Sequence, residues 1–67
     1  MATGVIRWFN EFKGYGFIEP ADATDTLYVH HTDIVGRGYR SLRPGQRVRY
    51  EIQTEQGVSR AIEVEAY

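Results

Sequence analysis

Sixty-seven residues without a single cysteine make one small domain, with no disulfide and no Cys-based zinc site to support its core. Eight Lys and Arg against nine Asp and Glu leave a net charge of −1, which rules out holding a polyanion by bulk charge alone. No apolar run approaches the ~20 residues of a membrane span, and Met1-Ala2-Thr3-Gly4 carries neither a basic nor an apolar leader run. The expectation is a soluble cytoplasmic protein with no membrane partner.

In chain order, Val5 to Asn10 reads as a first strand, rich in β-branched and aromatic residues. Its parity is not clean. Val5, Arg7 and Phe9 share one face and Ile6 and Trp8 the other, so period alone leaves Trp8 unplaced along a bent strand. Asn10 to Gly14 carries turn chemistry, with Phe12 unexpected at a loop tip. Tyr15 to Glu19 is the second strand, ended by Pro20, and Ala21 to Asp25 is a polar loop. Thr26 to His30 is the third strand. Thr32 is placed to cap a short helical turn over Asp33-Ile34. A long loop from Val35 to Arg43 holds Tyr39, and Pro44-Gly45 marks a turn. Gln46 to Gln53 alternates well, with Val48, Tyr50 and Ile52 inward. After a turn at Thr54 to Gly57, a last strand puts Val58, Ile62 and Val64 opposite Ser59, Ala61 and Glu63.

Five short strands separated by turn signals predict an all-β fold, and so short a chain hides its strand edges best as a small five-stranded barrel. Its interior takes Ile6, Ile18, Leu27, Val29, Ile34, Val48, Ile52, Ile62 and Val64. Tyr15, Phe17, Tyr28, Tyr39 and Trp8 are then surplus to the core. Surplus aromatics on a small domain need a reason.

That reason lies in two strands. Period 2 puts Tyr15 and Phe17 on one side and Gly14, Gly16 and Ile18 on the other; Tyr28 and His30 likewise oppose Leu27 and Val29. With the aliphatic side inward, flat rings face water beside Lys13, a surface on which unpaired bases stack. Aromatics in strands are more often core, but here the inverse would leave two glycines as an outward face. Charge supports the same reading: Ile34 to Tyr50 holds five arginines and no acid, with Tyr39-Arg40 at its centre. A solvated arginine-rich loop is the bland alternative for that window. Adjacent His30 and His31 point to opposite strand faces, and no paired carboxylates or phosphate cradle accompany them, so no enzyme site, metal or cofactor is expected. A peptide-binding barrel of the SH3 kind is the rival, opposed by the basic window and Lys13.

Lys13-Gly14-Tyr15-Gly16-Phe17-Ile18 resembles the first ribonucleoprotein motif of the cold-shock domain family, and Leu27-Tyr28-Val29-His30-His31 its second. Arg7-Trp8-Phe9-Asn10 resembles the family's opening run, and Gly38 to Leu42 with Gly45-Gln46 its long loop and fourth strand. The order of the two motifs is the reverse of that in the RNA recognition motif, which also needs two helices that this chain has no room for.

The resemblance, closest to the bacterial cold-shock proteins, implies an antiparallel oligonucleotide-binding (OB) barrel, covering residues 1–67 as one domain, that binds single-stranded DNA and RNA. It also implies an RNA chaperone that affects transcription and translation in the stress response. Stacking falls to Trp8, Tyr15, Phe17, Tyr28, His30, His31 and Tyr39, with Phe9 included as part of the opening run. Arg7, Lys13, Arg40 and Arg60 supply backbone or base-edge contacts. Nothing demands more than a monomer. His31 stands where the family usually has phenylalanine, Thr26 replaces a common aspartate beside Asp25, Val58-Ser59 replaces a glycine-proline, and Phe12 replaces a polar residue.

Overall fold

The computed structural model describes residues 2–22, 25–36 and 42–67. Five strands, β1 (Ala2–Asn10), β2 (Tyr15–Pro20), β3 (Leu27–His30), β4 (Arg47–Glu55) and β5 (Val58–Ala66), close into a barrel in the order β1-β2-β3-β5-β4. Among the described residues four seams are antiparallel and the closing β3–β5 seam, at Tyr28 and Arg60, is parallel. A second parallel bridge, Ile34 to Val64, holds the segment after β3 against β5. Closure removes the exposed edges that five short strands would otherwise present.

Two bulges decide which side chains face out. In β1, Ile6 pairs with Ile18 but Trp8 pairs with Phe17, so Arg7 is an extra residue with no partner of its own. Ile6 therefore stays in the core, Trp8 turns outward beside Phe17, and Phe9 turns back towards the core. In β5, Arg49 pairs with Glu65 and Glu51 with Ile62, so Glu63 and Val64 together oppose Tyr50. Glu63 takes the positive φ of 51° that this bulge needs.

The second bulge corrects the expected core. Ala61, expected outward, is fully buried; Val58 is exposed and Ile62 only half-buried. Strict alternation fails because the extra residue lies between Ala61 and Val64, which both face in. Ile52 keeps its inward parity but is 52% exposed. It lines an open depression with Ala2, Pro20, Leu27 and Tyr50, where no strand among the described residues covers it. The core instead takes Tyr50 and Leu42 with Ile6, Ile18, Leu27, Val29, Val48, Ala61 and Val64, while Ile34 packs at its margin. The Tyr50 hydroxyl donates to the Thr3 carbonyl at 3.4 Å. Burial, and then the Asp22 carboxylate, push that phenol above its ordinary pKa.

The turns follow their residues. Gln56-Gly57, both at positive φ, joins β4 to β5 as a two-residue hairpin loop. After β3 the chain makes a 3₁₀ turn, His31–Asp33, whose cap is His30 rather than Thr32. The imidazole Nδ1 accepts the Thr32 N–H at 3.3 Å, satisfying a donor that the turn leaves open.

Candidate nucleic-acid interface

The β1 bulge and the β2–β3 register put rings from three neighbouring strands on one outer face. Phe17 pairs with both Trp8 and Tyr28, and Tyr15 pairs with both Asn10 and His30. Ring centroids follow at 5.6 Å for Trp8–Phe17, 5.5 Å for Trp8–Tyr15, 6.1 Å for Phe17–Tyr28 and 6.0 Å for Tyr15–Tyr28. Tyr28 continues to His30 at 6.4 Å, and His30 to His31 at 4.5 Å. Most of these contacts are edge-on or tilted, so the rings brace one another while their faces stay open. Trp8 and Tyr28 remain 39% and 36% exposed, in a chain whose core is filled without them.

The opposite side of the same strands is closed tightly. Ile18 and Val29 are wholly buried. A Cβ on Gly16 would run into the Trp8 carbonyl and stand 2.8 Å from Phe9 Cα, so only glycine lets β2 lie this close under β1. Gly14 has φ of +76°, and the His31 ring occupies the place its Cβ would take. Its carbonyl accepts the His31 N–H at 2.8 Å, which ties the β1–β2 turn to the end of β3. His31 is thereby fixed at the rim of the ring array.

His30 is oriented from behind. Its Nδ1 lies 2.9 Å from the Thr32 hydroxyl and accepts the Thr32 N–H, so in the neutral ring the proton sits on Nε2. Among the described residues nothing accepts a hydrogen bond from that N–H.

The cations differ from one another. Arg7, the bulged residue, pairs with Glu19 at 3.1 Å on the open surface. Arg60, next to Tyr28 across the closing seam, gives one guanidinium nitrogen to Asp33 at 2.6 Å and another to Gln53 at 3.1 Å. Lys13 makes no ion pair among the described residues and stands at the turn beside His31. Arg49 is held by Glu65, and both Arg47 and Arg49 lie over the Tyr67 ring, away from the array.

Among the residues expected to form the site, the structure brings together Trp8, Tyr15, Phe17, Tyr28, His30 and His31, with Arg7, Lys13 and Arg60 around them. Phe9 makes no ring contact with the array among the described residues; it is half-buried against the core and lines a depression with Trp8. Tyr39 and Arg40 lie outside the described residues. Two polar groups escaped the sequence reading. Asp25 and Thr26 line a depression of about 460 Å³ with Arg7, Trp8 and Phe17. Their place just before the second aromatic strand was the available signal.

The profile described as the 'Cold-shock' DNA-binding domain matches residues 2–67. Over 63 residues the chain is 46% identical to the cold shock-like protein CspC of Escherichia coli, covering 94% of this chain and 91% of that protein. The cold shock-like protein CspC of Buchnera aphidicola is 44% identical over 61 residues, 91% of this chain and 88% of its own. Cold shock protein 1 of Arabidopsis thaliana is 47% identical over 66 residues, 97% of this chain and 22% of the longer plant protein. With the family match running from one end of the barrel to the other, the chain belongs to the cold-shock domain family and is a nucleic-acid-binding domain.

Proposed function

We propose that this chain, as a monomeric single domain in the cytoplasm, binds single-stranded DNA and RNA by stacking unpaired bases on Trp8, Tyr15, Phe17, Tyr28 and His30. The observation that carries the reading is the continuous outer face of rings on β1, β2 and β3, held open above a filled core. A ring face offers a base about 1–3 kcal/mol of stacking, whatever the base. Paired bases are already stacked on one another within a duplex, so only an unpaired strand gains from this surface.

From that preference follows the chaperone role. A protein that binds the open strand and not the hairpin pulls the hairpin equilibrium open by mass action. Transcription and translation respond wherever a hairpin controls them. The cold-shock names of the Escherichia coli and Arabidopsis relatives support placing this activity in the stress response.

The test is a Trp8 fluorescence titration with short oligothymidine, the same length of duplex and a proline-rich peptide. Quenching by the single strand alone is expected, together with opening of a fluorophore-labelled RNA hairpin at matching protein concentration. Equal binding of the duplex, or quenching by the peptide instead, would reject stacking as the basis of recognition.

A further inference from the structure

Phe12 has no part in the array described above, yet at 94% it is the most exposed large apolar side chain among the described residues. A small domain has little apolar surface to leave idle. Its position is also fixed. Asn10 Oδ1 accepts the Phe12 and Lys13 N–H groups at 3.0 Å each, and the Asn10 carbonyl accepts the Gly14 N–H at 2.7 Å. The turn is thus held by its own hydrogen bonds and needs nothing from the Phe12 ring.

Shallow depressions flank that ring. One is lined by Trp8, Phe9, Asn10, Glu11 and Phe12, and so begins at a ring of the array. The other is lined by Glu11, Phe12, Lys13, Gly14 and His31, and ends at the rim histidine. Phe12 therefore stands beside the aromatic surface, sharing one depression with Trp8 and the other with His31. Lys13, unpaired among the described residues, stands beside it to meet a phosphate. Glu11, present in both depressions, disfavours phosphate there and leaves the ring to a base.

We infer that Phe12 is an additional stacking subsite, which takes the next unpaired base of a strand already seated on the array. This rests on the single-strand reading above. It goes beyond it by setting the footprint: the bound strand runs over the β1–β2 turn, and affinity gains a step when the strand is long enough to reach it.

The experiment compares Phe12→Ala, Phe12→Tyr and Phe17→Ala with the unaltered chain on oligothymidines of increasing length, by anisotropy of an end-labelled strand. The shortest strands should bind the unaltered chain and Phe12→Ala alike. At the length where the unaltered chain gains its last step, Phe12→Ala should fall behind by about 5- to 10-fold, the low end expected for one exposed stacking contact. Phe12→Tyr should keep the step, and thermal melts of both Phe12 variants should match the unaltered chain. Phe17→Ala should weaken every length. Identical length curves for Phe12→Ala and the unaltered chain would overturn the inference, as would an equal loss at every length. Phe12-dependent self-association with unchanged length curves would assign the ring to a second copy of the chain instead. If neither the unaltered chain nor any variant binds the strands, the single-strand reading itself falls, and the inference with it.

Discussion

Phe17 and Ile18 are neighbours in β2 that face opposite ways, so the pair tests the two-faced barrel directly. Ile18 is wholly buried, between Ile6 on β1 and Leu27 on β3. Truncation to alanine leaves a cavity that three strands cannot collapse around, and buried aliphatic-to-alanine changes cost about 2–5 kcal/mol. A domain of this length has a total stability of roughly 3–10 kcal/mol, at ~0.05–0.15 kcal/mol per residue. Ile18→Ala should therefore lower Tm by about 15–35 °C, or leave the chain unfolded. Phe17→Ala is different but not free. The ring is half-exposed and touches Trp8, Tyr15 and Tyr28 at 5.6, 6.5 and 6.1 Å. Losing such partly solvated edge contacts should cost about 1–2 kcal/mol of stability. Its main loss should be in binding: one stacking platform, or about 1–3 kcal/mol, is roughly 5- to 160-fold in Kd. Thermal melts by circular dichroism give the first quantity and anisotropy of a labelled oligothymidine the second. Trp8 emission is unsuited here, because Phe17 touches the indole. If Phe17→Ala unfolds the chain while Ile18→Ala melts normally, the faces are reversed. If Phe17→Ala binds as tightly as the parent, the rings are not the binding surface.

Asp33→Asn should release the Arg60 guanidinium and steepen the slope of log K against log[salt] by about 0.7, one extra phosphate contact on a single strand. Arg60→Gln should leave the slope where it is; if it flattens the slope by about 0.7, Arg60 already reaches phosphate despite Asp33. Asp33→Asn should cost stability about 1–2 kcal/mol, because Asp33 is mostly buried while its Arg60 partner is partly in water. Tyr50 predicts an alkaline limit. Its phenol titrates higher in the folded state than in the unfolded one, so the unfolded chain loses the proton first. The stabilisation from keeping that phenol neutral is complete below the unfolded pKa of about 10 and is lost as pH rises through the folded value. Tyr50→Phe should flatten the decline in Tm above pH ~10; an unchanged decline would place its cause elsewhere.

The aromatic face of β2 and β3 was legible because both segments keep strict period 2, and the register pairs Tyr15 with His30 and Phe17 with Tyr28 as that period requires. Trp8 was not legible, because its placement depends on one unpaired residue, Arg7, and period carries no mark of a bulge. The same holds for β5. Strict alternation puts Arg60 on the same side as Val64, whereas the bulge at Glu63 turns Arg60 outward, next to Tyr28. Ile52 shows a different limit. Its parity was right, but parity says which way a side chain points and not whether the barrel extends far enough to cover it. Charge was the least readable. Arg7, Arg49 and Arg60 count as cations in the sequence, yet each has an acid at 3.1 Å or less.

Those pairings bear on how a chain of net charge −1 holds a polyanion. With Arg7 and Arg60 partly neutralised by Glu19 and Asp33, the described surface around the rings offers Lys13 as its unpaired cation. Counterion release from so few phosphates is small. Stacking has to supply the rest, and it has the capacity: three or four bases at about 2 kcal/mol each approach the ~8 kcal/mol of a micromolar complex. Such a complex is assembled from separate, similar steps, and any one base can lift off without the others. On the single-strand reading proposed above, a strand held this way would be kept from pairing with itself yet be surrendered base by base to a complementary strand. A surface of unpaired arginines would bind more tightly and release less readily, and the acids beside Arg7 and Arg60 work against that outcome.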